Sequence, residues 1–323
     1  MSDPFPVGPA PRPRGVAGPR PTRRTLLRSV SAALALPAAG GALAGCTYAS
    51  ERLAEETNAV PEVDLSGIEE QPEIAALVPD AIRERGELVN GAATNYPPGE
   101  FLSNGVPVGY DIDMLAAIGR VLGLHTRTES AVFAQIIPSV GTKYDVGISS
   151  FTVSPDRLES VTMISYFQAG MAYAVKTGNP YGVDPHHLCG TKPAVQVGTS
   201  MEEMAYAAES TCRADGQRGV EVLSYASNSD AATNVAGGKA DLLISDSPVV
   251  AYAIARSRGT LEQVGGIDEA ALSGIVVAKD DPELAEALRA AVQYLIDSGH
   301  LRAIFAAWGN ESGMIETAEV NPA

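Results

Sequence analysis

Several polar side chains in this sequence could together bind a small molecule that carries both a carboxylate and an ammonium. Arg157 can hold a carboxylate with two parallel N–H groups of its guanidinium. Thr199 and Ser200 follow Gly198 at a predicted helix start, where free backbone N–H groups attract an anion. Asp246 ends a predicted strand and can pair with the ammonium. These residue types predict noncovalent recognition of a zwitterion.

The sequence lacks the short motifs of common catalytic sites. It contains no Gly-x-Ser-x-Gly, no His-Glu-x-x-His, no phosphate loop ending in Gly-Lys-Ser/Thr and no Gly-x-Gly-x-x-Gly. His186 and His187 are adjacent and so do not naturally face one metal ion, and His125 and His300 have no matching partners. We therefore expect no catalytic residue, no metal and no cofactor.

Alternating strand-like and helix-like segments must position these side chains. The alternation starts near residue 87 and restarts after about residue 176. Strands are predicted near 88–93, 145–149, 194–197, 222–223, 242–245 and 275–278, and helices near 111–122, 133–140, 200–211, 229–235, 248–255 and 300–308, with a long helix opened by Asp281-Pro282. Two successive rounds predict an α/β protein with two lobes and a ligand cleft between them.

Six motifs occur in an order that closely resembles the polar-amino-acid family of bacterial extracellular solute-binding proteins. The resemblance covers nearly everything from residue 81 to the end. The most specific stretch is YDVGISSFTVSPDR at 144–157, and the others are ATNYPP at 93–98, GYDIDM at 109–114, FAQIIP at 133–138, VQVGTS at 195–200 and DLLISD at 241–246. Any one motif is weak alone, but six in the right order are specific.

The resemblance implies a two-lobed, periplasmic-binding-protein-like fold of type II with two hinge strands, near 172–175 and 272–277. Lobe 1 would comprise 81–174 plus 275–323, and lobe 2 would comprise 175–274. The implied ligand-binding residues are Tyr96, Phe133, Ser150, Thr152 and Arg157 from lobe 1, and Thr199, Ser200 and Asp246 from lobe 2. Tyr96 and Phe133 would sandwich the ligand's side chain, and hinge closure would complete the site. The closed protein would then dock on the permease of an ABC importer.

Each of these residues also has a purely structural interpretation. Arg157 could form a surface ion pair, Asp246 and Thr199-Ser200 could cap helices, Tyr96 could pack in a turn, Phe133 could belong to the core, and Ser150 and Thr152 could end a strand. Two other functions stay open: a dehydratase-like enzyme on the same fold, and a ligand-sensing module for a separate receptor. An enzyme needs a general acid in the cleft, and Glu100 is the one candidate.

One position departs from the relatives that take basic amino acids. In those proteins an acid just before the Tyr-x-Pro loop binds the ligand's side chain, and here that position is Ala93. A lysine or arginine ligand is therefore disfavoured, and a neutral polar or small apolar side chain is predicted. Glu100 lies nearby, and the sequence leaves open whether it enters the cleft.

The N-terminal segment has the order of a secretory signal peptide over 1–45: a basic start, a short apolar stretch and small residues. LAGC at 43–46 resembles a bacterial lipobox, which would lipidate Cys46 and anchor the protein to the outer face of the membrane. An ordinary signal peptide is the alternative. Arg23 and Arg24 also resemble a twin-arginine export signal. A flexible tether is predicted over 46–80.

Charge and cysteine content limit the partners and the redox environment. Without residues 1–45 the chain keeps 17 basic and 38 acidic side chains, a formal charge of −21 against −16 for the full chain, which disfavours nucleic acid and anionic lipid. We expect a monomer whose membrane contact is the lipid alone. Cys189 and Cys212 remain as an even pair outside the cytoplasm and predict a disulfide, with two free buried thiols as the alternative.

Overall fold

The computed structural model of the protein describes residues 60–322. The predicted signal peptide, Cys46 and residues 46–59 of the predicted tether lie outside the described residues. The helices are α1 Pro72–Ala75, α2 Asp80–Arg85, α3 Tyr110–Leu122, α4 Phe133–Ile136, α5 Pro155–Ser160, α6 Ser200–Ala214, α7 Asn228–Ala236, α8 Ser247–Arg256, α9 Pro282–Asp297 and α10 His300–Ala307. The strands are β1 Glu87–Ala92, β2 Asn95–Tyr96, β3 Glu100–Ser103, β4 Val106–Val108, β5 His125–Ser130, β6 Val146–Gly147, β7 Val161–Lys176, β8 Pro193–Gln196, β9 Leu223–Tyr225, β10 Leu242–Asp246 and β11 Leu261–Ala278.

Two long antiparallel strands, β7 and β11, run through the centre of the fold. Within residues 60–322 the main sheet has the order β5-β1-β6-β11-β7-β10-β8-β9, and β2, β3 and β4 form a separate antiparallel sheet. The parallel strands β5, β1 and β6 lie on one side of the long pair, and the parallel strands β10, β8 and β9 lie on the other. This is the two-lobed α/β architecture that the sequence predicts, with the predicted hinge strands at its centre.

Each lobe has its own core. We call the body built on β1, β5 and β6 the first lobe and the body built on β8, β9 and β10 the second lobe. Apolar faces of α3, α9 and α10 pack with Leu88 and Ile275 in the first lobe, while α6 packs with Val195 and Leu242 in the second. The predicted lobe boundaries at 174/175 and 274/275 fall inside β7 and β11 and stay predictions.

Pairing between the two long strands is irregular where they pass from one lobe to the other. Regular pairing breaks between Val264 and Asp268, again between Asp268 and Ala271, and between Ser273 and Gly274. Opposite the second break, Gly170 lies so close to Ile267 that a side chain there would contact Ile267 Cγ2 at 2.2 Å. Such interruptions disrupt the hydrogen-bond ladder and bend the strand. These positions are therefore where the two strands change direction between the lobes.

The predicted tether is too long at its C-terminal end. Ile68 and Val78 are 3% and 2% exposed and belong to the core of the first lobe. The apolar residues in this stretch are sparse, so their spacing gave no periodic signal, yet they pack against α3 and its neighbours. Residues 60–80 are thus part of the first lobe, and a tether can only precede Val60.

The second lobe contains the predicted disulfide. Cys189 and Cys212 are bonded, with their Cα atoms 5.6 Å apart. Cys212 lies near the end of α6 and is 3% exposed, within the apolar core of this lobe. The bond therefore ties α6 to the loop that precedes β8. Residues 60–322 contain no cluster of acidic, His and Cys side chains arranged to hold a metal ion. None of their helices is long and apolar enough to cross a membrane.

Candidate functional site

One cavity between the two lobes brings together every predicted ligand-binding residue. Its lining consists of Tyr96, Phe133, Ser149, Ser150, Thr152, Arg157, Gln196, Thr199, Ser200, Met201 and Asp246. The first six come from the first lobe and the last five from the second. The carboxyl ends of the parallel strands β6, β8 and β10 meet here, as expected for ligand sites of open α/β sheets.

Arg157 is positioned by the first turn of α5. The Ser154 hydroxyl accepts the Arg157 backbone N–H at 3.4 Å and caps the helix. The guanidinium donates to the carbonyl of Thr152 at 2.7 Å and, across the cleft, to the carbonyl of Gly198 at 3.2 Å. It also lies 5.7 Å from the ring centre of Phe133. Burial lowers the pKa of Arg157, but an arginine this basic stays charged, so the cavity holds a fixed cation.

Asp246 provides the opposite charge from the second lobe. It ends β10, stands at the N-cap position of α8 and is 8% exposed. Burial raises its pKa to about 6, although a hydrogen bond from Tyr96 and the charge of Arg157 both act to lower it. At neutral pH it is a buried carboxylate. Its side chain makes no capping hydrogen bond to α8, so the structural interpretation as a helix cap does not account for it.

Tyr96 joins the two lobes. Its hydroxyl donates to Asp246 Oδ2 at 2.7 Å and lies 2.9 Å from the Ser245 hydroxyl. Burial raises the pKa of this phenol well above its usual value, so Tyr96 is a neutral donor. Phe133 stacks on Phe151 with 4.6 Å between ring centres and belongs to an apolar cluster of the first lobe. The alternative interpretation of Phe133 as a core residue therefore describes how it packs. The same side chain also lines the cavity.

A second layer of the first lobe holds the cavity's serines. Asp111 accepts the Ser150 backbone N–H at 2.7 Å and its hydroxyl at 3.1 Å. Ser150 has φ +50°, a left-handed conformation that is uncommon for a residue with a side chain. The Ser149 hydroxyl donates to Glu100 and accepts the backbone N–H of Ala93 at 3.0 Å. Glu100 is fully buried behind Ser149 and does not line the cavity.

The N-terminus of α6 contributes Thr199 and Ser200. Thr199 caps the helix, since its hydroxyl accepts the Glu202 N–H at 3.2 Å and donates to the Gln196 carbonyl at 2.7 Å. Ser200 reaches across the cleft, with its hydroxyl 3.3 Å from that of Thr152. Capping and ligand binding are compatible roles, because the backbone N–H of Ser200 is one of the helix's unpaired donors.

Gln196 was not singled out by sequence reasoning. It is 2% exposed, it lines the cavity, and neither its side-chain oxygen nor its nitrogen has a hydrogen-bond partner within the described part of the chain. A buried amide without partners is costly, so a ligand is the natural partner for it. The signal was its place at the end of a strand, two residues before Gly198 of the Gly-Thr-Ser turn.

The cavity is nearly filled by the residues that line it. Its free volume is about 10 Å³, close to the space that one water molecule needs. The hydrogen bonds from Tyr96 to Asp246, from Arg157 to Gly198 and between Thr152 and Ser200 all cross the cleft. A larger molecule therefore enters only when the lobes part and these bonds are exchanged for bonds to the ligand.

The fold and the cleft define a class of protein: two-lobed α/β binding proteins that close on a small molecule. Residues 88–311 match the family model of the bacterial extracellular solute-binding proteins, family 3. The chain belongs to this family, and its role in it is solute binding. The resemblance stated from the six motifs is thereby confirmed.

Relatives agree with this assignment. The arginine-binding protein ArgT of Corynebacterium glutamicum is 39% identical over 77% of this chain and 83% of its own length. The L-cystine-binding protein TcyJ of Escherichia coli is 24% identical over 70% of this chain and 84% of its own. Among solved structures, holo ArgBP from T. maritima matches with a TM-score of 0.61 and 28% identity, covering 72% of this chain and 100% of that one. An ancestral amino-acid-binding protein, described as a precursor of cyclohexadienyl dehydratase, matches with a TM-score of 0.64 and 28% identity over 72% of this chain and 99% of its own.

Proposed function

We propose that this protein captures an α-amino acid between its lobes and delivers it to the permease of an ABC importer. The observation that carries the proposal is a pair of buried opposite charges, Arg157 in the first lobe and Asp246 in the second, lining one cavity. A zwitterion matches this pair, because it presents a carboxylate and an ammonium a few ångströms apart. Relatives described as ABC transporter arginine-binding proteins support the transport role.

The ligand contacts follow from the hydrogen bonds that the cavity already makes. The ligand's carboxylate accepts from the guanidinium of Arg157 in place of the Gly198 carbonyl, and from the N-terminus of α6 at Thr199 and Ser200. Its ammonium donates to Asp246 in place of the Tyr96 hydroxyl, with Ser150 and Thr152 as further polar neighbours. Both lobes contact the ligand, so its binding favours the closed form.

The ligand's side chain is proposed to end in N–H donors, with arginine as the first amino acid to test. Several relatives are named for arginine binding, including the one that is 39% identical. The unpartnered amide of Gln196 supports a polar ligand rather than a small apolar one. Ala93 argues against a charged partner at the side chain's end. Glutamine, which is neutral and carries an amide, is therefore the second amino acid to test.

Export and anchoring complete the proposal. The family is extracellular, and the signal-peptide pattern over 1–45 and LAGC at 43–46 support a lipid on Cys46 that holds the protein on the outer face of the membrane. We propose that the protein acts as a monomer. Replacing Cys46 by Ser should release the protein from the membrane fraction into the medium or periplasm. Retention of this variant in membranes would contradict the lipid anchor.

An enzyme on this fold is the less supported alternative. The candidate general acid, Glu100, is screened from the cavity by Ser149, and the lining residues contain no nucleophile paired with a base. Dehydratase activity should still be measured, because one structural neighbour is described as a precursor of cyclohexadienyl dehydratase. Incubating the protein with prephenate-like cyclohexadienyl acids and following aromatic absorbance would test it. A ligand-sensing module would bind its ligand in the same cleft. It would differ from a transport protein only in its partner, a receptor in place of a permease.

The decisive experiment is thermal unfolding of the purified full chain with a panel of amino acids. A ligand at a hundred times its Kd should stabilise the protein by about 2.7 kcal/mol. Arg157→Ala should abolish the response, because it removes the carboxylate's main partner. Arg289→Ala is the matched control, since Arg289 pairs with Glu286 on the surface of α9, away from the cleft. If no amino acid raises the unfolding temperature, the proposal that the ligand is an amino acid is wrong.

A further inference from the structure

An aromatic contact joins the two lobes outside the ligand cavity described above. Phe101, on β3 of the first lobe, lies against Tyr252, on α8 of the second, with 5.9 Å between ring centres and 50° between ring planes. This separation is in the range of favourable aromatic pairs. Neither ring is among the residues that line the ligand cavity. We call the contact between Phe101 and Tyr252 the aromatic latch.

Contacts within the first lobe position the Phe101 ring. Trp308, directly after α10, meets this ring edge to face, with 6.0 Å between ring centres and 87° between ring planes. The indole N–H of Trp308 donates to Asp113 Oδ2 at 2.8 Å, which ties the indole to α3. The Phe101 ring is therefore supported by its own lobe. Its contact with Tyr252 should then require little further ordering of the side chain.

Tyr252 has a comparable support in the second lobe. Arg256 follows it by four residues on α8, and the guanidinium carbon lies 5.3 Å from the Tyr252 ring centre. Side chains four residues apart on a helix are neighbours on one face, and a guanidinium is attracted to the face of an aromatic ring. The latch thus pairs two rings that each lobe positions by itself.

The two rings lie apart from the cores of both lobes. They are half-buried and belong to none of the apolar core clusters of residues 60–322. A groove of about 590 Å³ between the β2–β3 hairpin and helices α7 and α8 borders them, and both rings are in its lining. Removing one ring should therefore break the contact between the lobes without leaving a void in either core.

The β2–β3 hairpin contacts α8 of the opposite lobe at two points. Tyr96 donates to Asp246 at the start of α8, and Phe101 contacts Tyr252 further along the same helix. The first contact uses the carboxylate that the ligand's ammonium is proposed to take. The second uses no group that lines the ligand cavity. The aromatic latch can therefore persist while the bond from Tyr96 to Asp246 is exchanged for a bond to the ligand.

We propose that the aromatic latch stabilises the closed form whatever the ligand cavity contains, so that Phe101 and Tyr252 set the affinity of the site without selecting among ligands. The effect on closure follows from the contact between the lobes alone. The effect on affinity rests on the proposed function, because closure retains a ligand that binds between the lobes. A contact that favours the closed form equally for every ligand changes every affinity by the same factor.

Small-angle X-ray scattering of the purified full chain without any amino acid tests the effect on closure. Phe101→Ala and Tyr252→Ala should each shift the lobes towards the open form and so increase the radius of gyration. Tyr206→Ala is the matched control, because Tyr206 is a tyrosine of the second lobe that lies on α6, 48% exposed and outside the latch. It should scatter like the parent protein. Equal radii of gyration for the parent and both latch variants would overturn the proposal.

Titration calorimetry with arginine and with glutamine tests the effect on affinity. Each latch variant should raise the Kd of both amino acids by the same factor, about two- to tenfold, which corresponds to the loss of one aromatic pair. The double variant should bind no more weakly than the weaker single variant, because both changes remove the same contact. Additive losses would overturn the latch. So would different factors for the two amino acids, since they would mean that a ring contacts the ligand.

A conservative variant separates the ring from its hydroxyl. Tyr252→Phe keeps the ring and should match the parent protein in scattering and in both Kd values, and a weakened Tyr252→Phe would contradict a latch made by the rings. The two measurements also separate this inference from the proposed function. If neither amino acid binds the parent protein, the proposed function fails, and scattering still decides the latch. If both bind and the latch variants equal the parent, the latch alone fails.

Discussion

The hydroxyl of Tyr96 donates to Oδ2 of Asp246 at 2.7 Å and so bonds the first lobe to the second. The same carboxylate is the proposed partner of the ligand's ammonium. Because one acceptor serves both donors, the Tyr96 hydroxyl and the ligand's ammonium compete for Asp246. The strength of this internal bond therefore sets part of the cost of binding.

Replacing Tyr96 by Phe tests this competition. The variant leaves the buried Asp246 carboxylate with one fewer donor, so the free energy of unfolding without ligand should fall by about 1–3 kcal/mol. Ligand binding should be retained or strengthened, because the ammonium no longer displaces a hydroxyl. Differential scanning calorimetry with and without ligand measures both effects. A large loss of affinity with unchanged stability would mean that the hydroxyl contacts the ligand itself.

The affinity for the ligand should depend on pH through Asp246. Burial raises the pKa of this carboxyl to about 6 in the protein without ligand, with Tyr96 and Arg157 as the polar and charged groups that face it. An ammonium binds the ionised form, so ligand binding lowers this pKa. Affinity should be full above pH 6 and fall by up to about tenfold per pH unit below it.

Asp246→Asn is the control for this pH dependence. It should bind weakly at every pH and show a nearly flat profile between pH 5 and 8, measured by titration calorimetry. The carboxyls behind the cavity, Glu100 and Asp111, also have raised pKa values. If the affinity of Asp246→Asn falls with pH as steeply as that of the parent protein, the pH dependence belongs to Glu100 and Asp111.

Glu100 should make the protein less stable as the pH rises. Burial, and next the charge of Asp111, raise the pKa of Glu100 well above its usual value. A carboxyl with a raised pKa in the folded state takes up a proton on folding. Its effect on stability is therefore favourable at low pH and is lost as the pH rises above the unfolded pKa, at up to about 1.4 kcal/mol per pH unit.

Glu100→Gln should remove this loss. The amide is neutral at all pH values and can still accept from Ser149. Urea unfolding at pH 5, 6, 7 and 8 should show a smaller fall in stability for the variant than for the parent protein. The fall in stability with rising pH should not vanish completely in the variant, because burial also raises the pKa of Asp111. Identical pH profiles for both proteins would show that Glu100 is ionised in the fold.

Gly198 should be required for closure of the lobes. It has φ +80°, and a Cβ added there would lie 2.9 Å from Cβ of Ala134 on the opposite lobe. Gly198→Ala should weaken ligand binding by about tenfold, because the contact exists only when the lobes are closed. Gly216→Ala is the matched control: Gly216 has φ +68° with open space around it, so it adds a similar backbone strain without a clash. The control should lose stability and keep its affinity.

The disulfide should stabilise the second lobe. Cys189 and Cys212 are separated by 23 residues, and closing such a loop contributes about 3 kcal/mol. Replacing both by Ala should lower the free energy of unfolding by that amount, with ligand specificity unchanged because neither residue lines a cavity described above. Guanidinium unfolding under oxidising and reducing conditions measures it. An unchanged midpoint after reduction would contradict the prediction.

Local patterns predicted most of the regular elements. Helix α9 begins where Asp281 and Pro282 indicate, and the Asp281 side chain accepts the Leu284 N–H at 3.0 Å. The predicted helix over 133–140 is shorter, because Pro138 falls in a 3₁₀ turn after α4 ends at Ile136. The β2–β3–β4 hairpin was missed, since Pro97, Pro98 and Pro107 mask its strands.

The long strands exceeded their predicted lengths for a physical reason. Their central parts, such as Gly265 and Gly266 in β11, have low strand propensity and lie in a break of the pairing, so the paired residues Val264 and Asp268 on either side hold them in the strand. The motifs predicted which residues would meet in the cleft, and all eight line one cavity. They did not predict Gln196, because its unpaired amide depends on how closely the two lobes approach each other.

The shared strands have a consequence for how the protein denatures. β7 and β11 pair with each other along nearly their whole length, and each passes through both lobes. Neither lobe can unravel without breaking the backbone ladder that the other needs, so we expect the lobes to unfold as one cooperative unit. Heating should therefore give a single calorimetric peak whose area and van't Hoff enthalpy agree. Any ligand that binds in the cleft then shifts the denaturation of the entire body and not of one lobe alone.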